Sequence, residues 1–250
     1  MYLGTALFWA AYAIDGVFGG LFSLFGLDRP ARLGVLIVFT GVFSAVYTYL
    51  GGLRAVVRTD VVQFVLLVAG GFVILFVAIH HLGGWSELWG ETGDLMHLHL
   101  PADHETLPWV AIFGMLLLNL NYWGANQVIL QRALAAKDLK QAQIGLLAGG
   151  VLKYVSTLVI IVPGIALAGI LKDRPLEDPD LTYLTLVNDY LPAGVRGLIL
   201  TGLFASLMST LDSIFNSVST LWSIDIYKRR LKPDATERET VRMGRLSIIA

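Results

Sequence analysis

The chain has 250 residues, 56% of them apolar and 15% charged, with a mean hydropathy of +0.68; a soluble domain carries nearer a quarter of charged residues, so this is the composition of a membrane protein. The net charge of −1 provides no bulk attraction to nucleic acid, and the absence of cysteine excludes disulfides, thiol catalysis and thiolate metal sites. Met1, Tyr2 and Leu3 lead straight into apolar sequence without a basic stretch, so no cleaved signal peptide is expected.

Apolar segments follow in chain order at 2–25, 33–50, 61–79, 109–129, 144–171 and 195–222, with a seventh opening at Leu246. Each complete segment is near the roughly 20 residues that cross a bilayer as a helix. The expected fold class is an all-α multi-pass membrane protein, set in the lipid bilayer of the cell membrane, with no domain boundary along 1–250. The seventh run stops after a few residues, so the chain is expected to be cut short. Lys and Arg set the orientation. Arg54, Arg58, Arg132, Lys137, Lys140, Lys228, Arg229, Arg230, Lys232, Arg238, Arg242 and Arg245 fall on one side; Arg29, Arg32, Lys172, Arg174 and Arg196 fall on the other. The first set is expected in the cytoplasm, which puts the 80–108 loop outside, where its five histidines (His80, His81, His97, His99 and His104) lack the spacing of a metal site. Gly51-Gly52, Gly83-Gly84 and Gly149-Gly150 are expected at turns or close helix contacts.

The chemistry is expected where polar groups sit at membrane depth, because an ionisable side chain there costs about 2.5–3.5 kcal/mol and implies a partner, an aqueous cavity or an ion. Asp15, Asp60, Lys153 and Asp212 are of this kind. Asp15 fits either a vestibule or a pair with another helix. Ser206, Ser209, Thr210, Ser213, Ser217 and Thr220 recur every three or four residues, a hydroxyl stripe along one helix. Such a stripe either bonds back to carbonyls one turn earlier and glues helices together, or, beside Asp212, offers the hard oxygens that a cation needs. In the fourth span Asn119, Tyr122 and Asn126 fall at i, i+3 and i+7, flanked by Asn121 and Trp123. Amides with a ring on one face suit a polyhydroxylated ligand, or an interhelical hydrogen-bond cluster. Lys153, ten residues into the fifth span, is too deep to reach water easily.

Three stretches carry a family resemblance: Gly51-Gly-Leu-Arg-Ala-Val-Val-Arg-Thr-Asp60-Val-Val-Gln63; Asn126-Gln-Val-Ile-Leu-Gln-Arg-Ala-Leu-Ala-Ala-Lys137; and Ser209-Thr-Leu-Asp-Ser-Ile-Phe-Asn-Ser-Val-Ser-Thr220 running on to Asp225-Ile-Tyr-Lys228. In this order they resemble the sodium/solute symporter family, nearest to its sodium/glucose and sodium/galactose cotransporters. The resemblance implies a partial LeuT-type bundle of inverted repeats, with substrate and sodium at broken helices near the midplane. It places this chain at the third to eighth core helices and the start of the ninth, a fragment lacking the first two. It makes Ser209 and Thr210 side-chain ligands of the principal sodium ion, with the Ser206 carbonyl. Asn119 and Lys153 fall where a sugar is hydrogen-bonded, and Tyr122 where an aromatic gate covers it. Asp60 and Ser213 match a second sodium site of some members; Asp212, where those members carry a hydroxyl, is expected to join that second cation site or else to point the other way and pair with a basic group such as Arg58, and Asn121 stands where an aromatic residue is common.

The function so implied is sodium-coupled symport of a sugar or related polyol by alternating access, with sodium co-transported and no nucleic-acid partner. Symport of a carboxylate, amino acid or nucleoside, or a membrane sensor module on the same fold, are the alternatives. An enzyme is not expected: no histidine lies in a span core to serve as general base to Ser209.

Overall fold

The computed structural model describes residues 2–97, 101–105, 107–172, 176 and 178–249, without the side chains of residues 21 and 52–55. His99, Asp173, Arg174 and Glu177, like the side chain of Arg54, lie outside the described residues. The described backbone is built of helices: α1 (Tyr2–Ser23), α2 (Arg29–Leu82), α3 (Trp85–Thr92), α4 (Trp109–Gly124), α5 (Gln127–Leu134), α6 (Leu139–Ile170), α7 (Thr182–Tyr190), α8 (Ala193–Leu221), which continues as a π-helix over Trp222–Leu231, and α9 (Glu237–Ile249). Among the described residues four stretches are long and apolar enough to cross a membrane: Arg29–Gly51, Val56–Leu82, Leu139–Ile170 and Ala193–Leu231.

Two differences from the sequence reading concern helix breaks. No turn forms at Gly51-Gly52: the backbone stays helical from Arg29 to Leu82, since a glycine inside a helix costs only about 1 kcal/mol against alanine. Gly83 and Gly84 do end that helix, at φ of +110° and +117°, angles that only glycine adopts without strain. Conversely, the expected unbroken span at 109–129 is interrupted. α4 stops at Gly124, and Asn126 caps α5 by accepting from the Val128 N–H at 2.9 Å. Asn126 therefore leaves the face of Asn119 and Tyr122, because asparagine satisfies a helix N-terminus better than it fits a helix interior. His80 and His81 close the last turn of α2 instead of standing in a loop, and among the described residues no group of His, Asp or Glu forms a metal cluster.

The chain divides into two compact units, Met1–Gly70 with Val187–Ala250 and Gly71–Leu186. In the first, α1 packs on α8 with Phe18 stacked on Phe204 at 5.8 Å. α2 meets α8 where glycines let backbones approach: a Cβ on Gly70 would stand 3.2 Å from Ile199, and one on Gly202 3.6 Å from Leu66. Asp15, 6% exposed, takes the pairing alternative: Arg32 Nε donates to its carboxylate at 2.8 Å and Arg29 lies at 3.7 Å. α9 is pinned to α8 by the Ser219 hydroxyl, which donates to the Gly244 carbonyl at 2.7 Å. Its N-terminus is a capping box: Glu239 accepts from the Thr236 N–H at 2.9 Å and Thr236 Oγ1 from the Glu239 N–H at 3.3 Å. Lys232, donating to Glu239 at 2.8 Å, and then the Thr236 bonds hold that carboxyl at a pKa of about 2, below its ordinary range.

In the second unit the remaining turns of α2 lie on α6, and α3, with Leu88 fully buried, packs on the end of α6. Lys172 and Glu91 form an ion pair there. At Gly71 the helices are in close contact, since a Cβ on it would stand 2.8 Å from both Cβ and Cγ2 of Val159. A valine side chain is stiff and cannot swing aside, so Gly71→Ala should lower stability by about 1–3 kcal/mol. Gly114→Ala, with nothing within 4 Å, should be neutral or slightly stabilising; thermal unfolding of the two variants in detergent checks the difference.

Candidate ion and substrate sites

In the first unit the residues singled out on α8 face polar groups of α2. The Ser209 hydroxyl donates to Oδ1 of Asp60, joining two expected site residues. Asp212 is 2% exposed, and its Oδ1 accepts from the Ser44 hydroxyl at 2.9 Å and the Thr48 hydroxyl at 2.8 Å. Ser44 and Thr48, at most 1% exposed, stand one helical turn apart on α2 and follow the equally buried Thr40 at the same spacing. The sequence reading missed this stripe. Its signal was present, as hydroxyl residues at 40, 44 and 48 in an otherwise apolar span, but only the partner helix shows what it serves. The Asp60 charge also acts on Asp212, and hydroxyls, not Arg58, meet the Asp212 carboxylate.

The rest of the α8 stripe bonds largely along its own helix. Thr210 donates to the Ser206 carbonyl at 3.1 Å, Ser213 to Ser209 at 2.7 Å, Ser217 to Ser213 at 2.8 Å and Thr220 to Asn216 at 2.8 Å. These bonds are compatible with ligation, because each uses the hydroxyl proton and leaves oxygen lone pairs. Ser209 and Thr210 are adjacent hydroxyls with both protons committed, one to a carboxylate and one to a carbonyl. Their oxygens can act only as acceptors, which is what a cation requires. The Ser206 carbonyl accepts one bond and retains a second lone pair.

In the second unit, Lys153 of α6 places its ammonium 4.8 Å from the centre of the Tyr122 ring and 5.6 Å from that of Trp123, within cation–π range. The two rings meet edge to face, at 5.7 Å and 85°. Trp123 rests against α6 at Gly149, where a Cβ would meet the indole at 3.6 Å. The structure thus joins Lys153 with Tyr122 and adds Trp123, which the sequence reading treated only as a neighbour. Asn119 lies one turn before Tyr122 and is exposed, its amide donating to the Met115 carbonyl at 2.9 Å. Asn121 closes α4, its carbonyl accepting from the N–H groups of Ala125 and Asn126. The helix break between α4 and α5 follows directly after the aromatic pair.

A solved Na+-coupled sialic acid symporter, in a substrate-bound outward-open state, superposes on 99% of this chain with a TM-score of 0.81 at 24% identity, using 53% of its own length. The class is therefore that of all-α, multi-pass membrane proteins with the LeuT-type fold. The chain belongs to the sodium:solute symporter family, whose sequence model matches residues 2–250. It is 32% identical over 98% of its length to a sodium/glucose cotransporter of Vibrio parahaemolyticus and 33% identical over 95% to a sodium/mannose cotransporter of Bos taurus. It spans 50% and 45% of those two proteins, about half the length of the curated relatives it matches.

The Asp212 contacts give a direct test. Thr48→Val keeps the shape but leaves a buried carboxylate short of a donor, so it should cost about 1–3 kcal/mol of stability. Adding Asp212→Leu removes the orphaned acceptor, and thermal unfolding should show the double variant less destabilised than the two single losses summed.

Proposed function

We propose that the protein works as a sodium-coupled symporter of a sugar or related polyol, a transporter and not an enzyme. The observation that carries this reading is the meeting of the Asp60 carboxylate with the Ser209 hydroxyl, two family-motif residues, across α2 and α8. The principal sodium ion takes Ser209 and Thr210 through their hydroxyl oxygens and Ser206 through its carbonyl. A second cation is assigned to Asp60, Asp212 and Ser213. Its reason is electrostatic: two neighbouring carboxylates at membrane depth do not both stay ionised without a cation or a proton between them. The sugar is assigned to Asn119, Lys153 and Tyr122: amide and ammonium address hydroxyls, and the ring covers an apolar C–H face. The solutes in the relatives' names, the sugars glucose and mannose and the cyclic polyol myo-inositol, support this solute class.

Coupling follows from linkage. Sodium binding favours the outward-open state, that state binds sugar more tightly, and sugar raises sodium affinity by the same factor. In proteoliposomes holding the full-length transporter, Thr210→Ala should raise the sodium concentration for half-maximal uptake more than it lowers sugar affinity at saturating sodium. Lys153→Ala and Asn119→Ala should do the reverse, each weakening sugar binding by about 1–3 kcal/mol. A Hill coefficient near two for sodium, falling to one in Asp60→Asn and in Asp212→Asn, supports the second cation. Equal effects of Thr210→Ala on ion and sugar at every sodium level would reduce that residue to a packing role.

A further inference from the structure

Ion coupling makes no use of the basic face of α9. Arg238, Arg242 and Arg245 fall at i, i+4 and i+7 and are all exposed, and among the described residues none of the three guanidiniums has a hydrogen bond or ion pair. With Tyr49 of α2 they line a groove of about 570 Å³ in the first unit. Val241 and Leu246 give the groove an apolar side, and Glu237 is the one acidic residue on its lining. The nearest other acid on α9, Glu239, is occupied by Lys232 and Thr236.

Placement decides what such a groove meets. Tyr49 stands two residues before the end of one membrane-spanning stretch, Arg29–Gly51, and α9 is fixed beside the closing turns of another, Ala193–Leu231, by the Ser219–Gly244 bond. The groove therefore lies where hydrocarbon gives way to headgroups, on the side that carries the excess of Lys and Arg. From Arg238 to Arg245 the helix rises about 10 Å, enough to run through a polar layer that adds about 5–7 Å to each face of the hydrocarbon. A free phosphate would need only the arginines. A ligand that also uses Val241, Leu246 and the Tyr49 ring carries acyl chains behind an anionic group.

We propose that this groove binds the phosphate headgroup of an acidic phospholipid of the cytoplasmic leaflet, with the guanidiniums on the phosphate and the acyl chains along Val241 and Leu246. Basic clusters at the inner ends of spans attract anionic lipid generally; the groove adds a defined seat. The test is the motionally restricted fraction of spin-labelled phosphatidylglycerol against spin-labelled phosphatidylcholine around the protein in phosphatidylcholine bilayers. The wild-type protein should prefer phosphatidylglycerol by roughly fivefold or more at 0.15 M salt. R238Q/R242Q/R245Q should bring the preference close to one, R238K/R242K/R245K should keep part of it, and K228Q/R229Q/R230Q, outside the groove, should leave it intact. Equal loss in the two glutamine triples would overturn the seat in favour of diffuse surface charge, and a wild-type preference near one would overturn it outright. Displacement of the labelled lipid by 10 mM inorganic phosphate would make free phosphate the ligand instead.

Discussion

A carboxylate buried or half-buried among apolar helices must be met by hydrogen-bond donors, by a basic group or by a cation, and the first unit is arranged around three answers to that demand. Asp15 is met by guanidinium, Asp212 by the hydroxyls of Ser44 and Thr48, and Asp60 by the hydroxyl of Ser209. The three differ in what they can still do. An arginine neutralises Asp15 outright and ties α1 to the start of α2. Hydroxyls donate to Asp212 and Asp60 and leave further carboxylate lone pairs able to accept. Carboxylate oxygens therefore stand where α2 faces α8, and the small residues Gly70 and Gly202 let the two helices approach.

The second unit answers a complementary demand. A lysine ten residues into an apolar stretch has to stabilise a positive charge, and Lys153 does so against the faces of two aromatic rings. Cation–π contact leaves ammonium protons available for a ligand. The break at Ala125-Asn126 belongs with this. Asn126 satisfies a backbone donor that the interruption exposes, so irregular backbone is tolerated beside the aromatic pair.

Composition and the length of the apolar runs were enough to read an all-helical membrane protein from the sequence, because span length and backbone self-sufficiency leave few choices in a bilayer. The residues at which chemistry is concentrated were equally visible, since charge and hydroxyls stand out against an apolar background. The partners were less so. Nothing in the chain order tells that Asp212 meets Ser44 and Thr48 in place of Arg58, because that depends on how two helices rotate against each other. Helix breaks were read poorly for a related reason: Gly51-Gly52 and Gly124 look alike in sequence, and the capping residue Asn126 distinguishes them only once α5 is known to start there. Thr236 and Glu239 spell a capping box that was legible in principle and marks where α9 begins.

Sodium coupling across α2 and α8 requires Asp60 to be an ion-binding carboxylate that Ser209 positions, and not merely a hydrogen-bond acceptor that fastens α2 to α8. Equilibrium binding of radioactive sodium to the purified protein separates the two most directly. Asp60→Asn retains a side-chain oxygen able to accept from Ser209, so helix packing and thermal stability should change little. Sodium affinity should fall by about tenfold or more, the equivalent of at least 1.4 kcal/mol. Unchanged sodium binding in a stably folded Asp60→Asn protein would contradict the account.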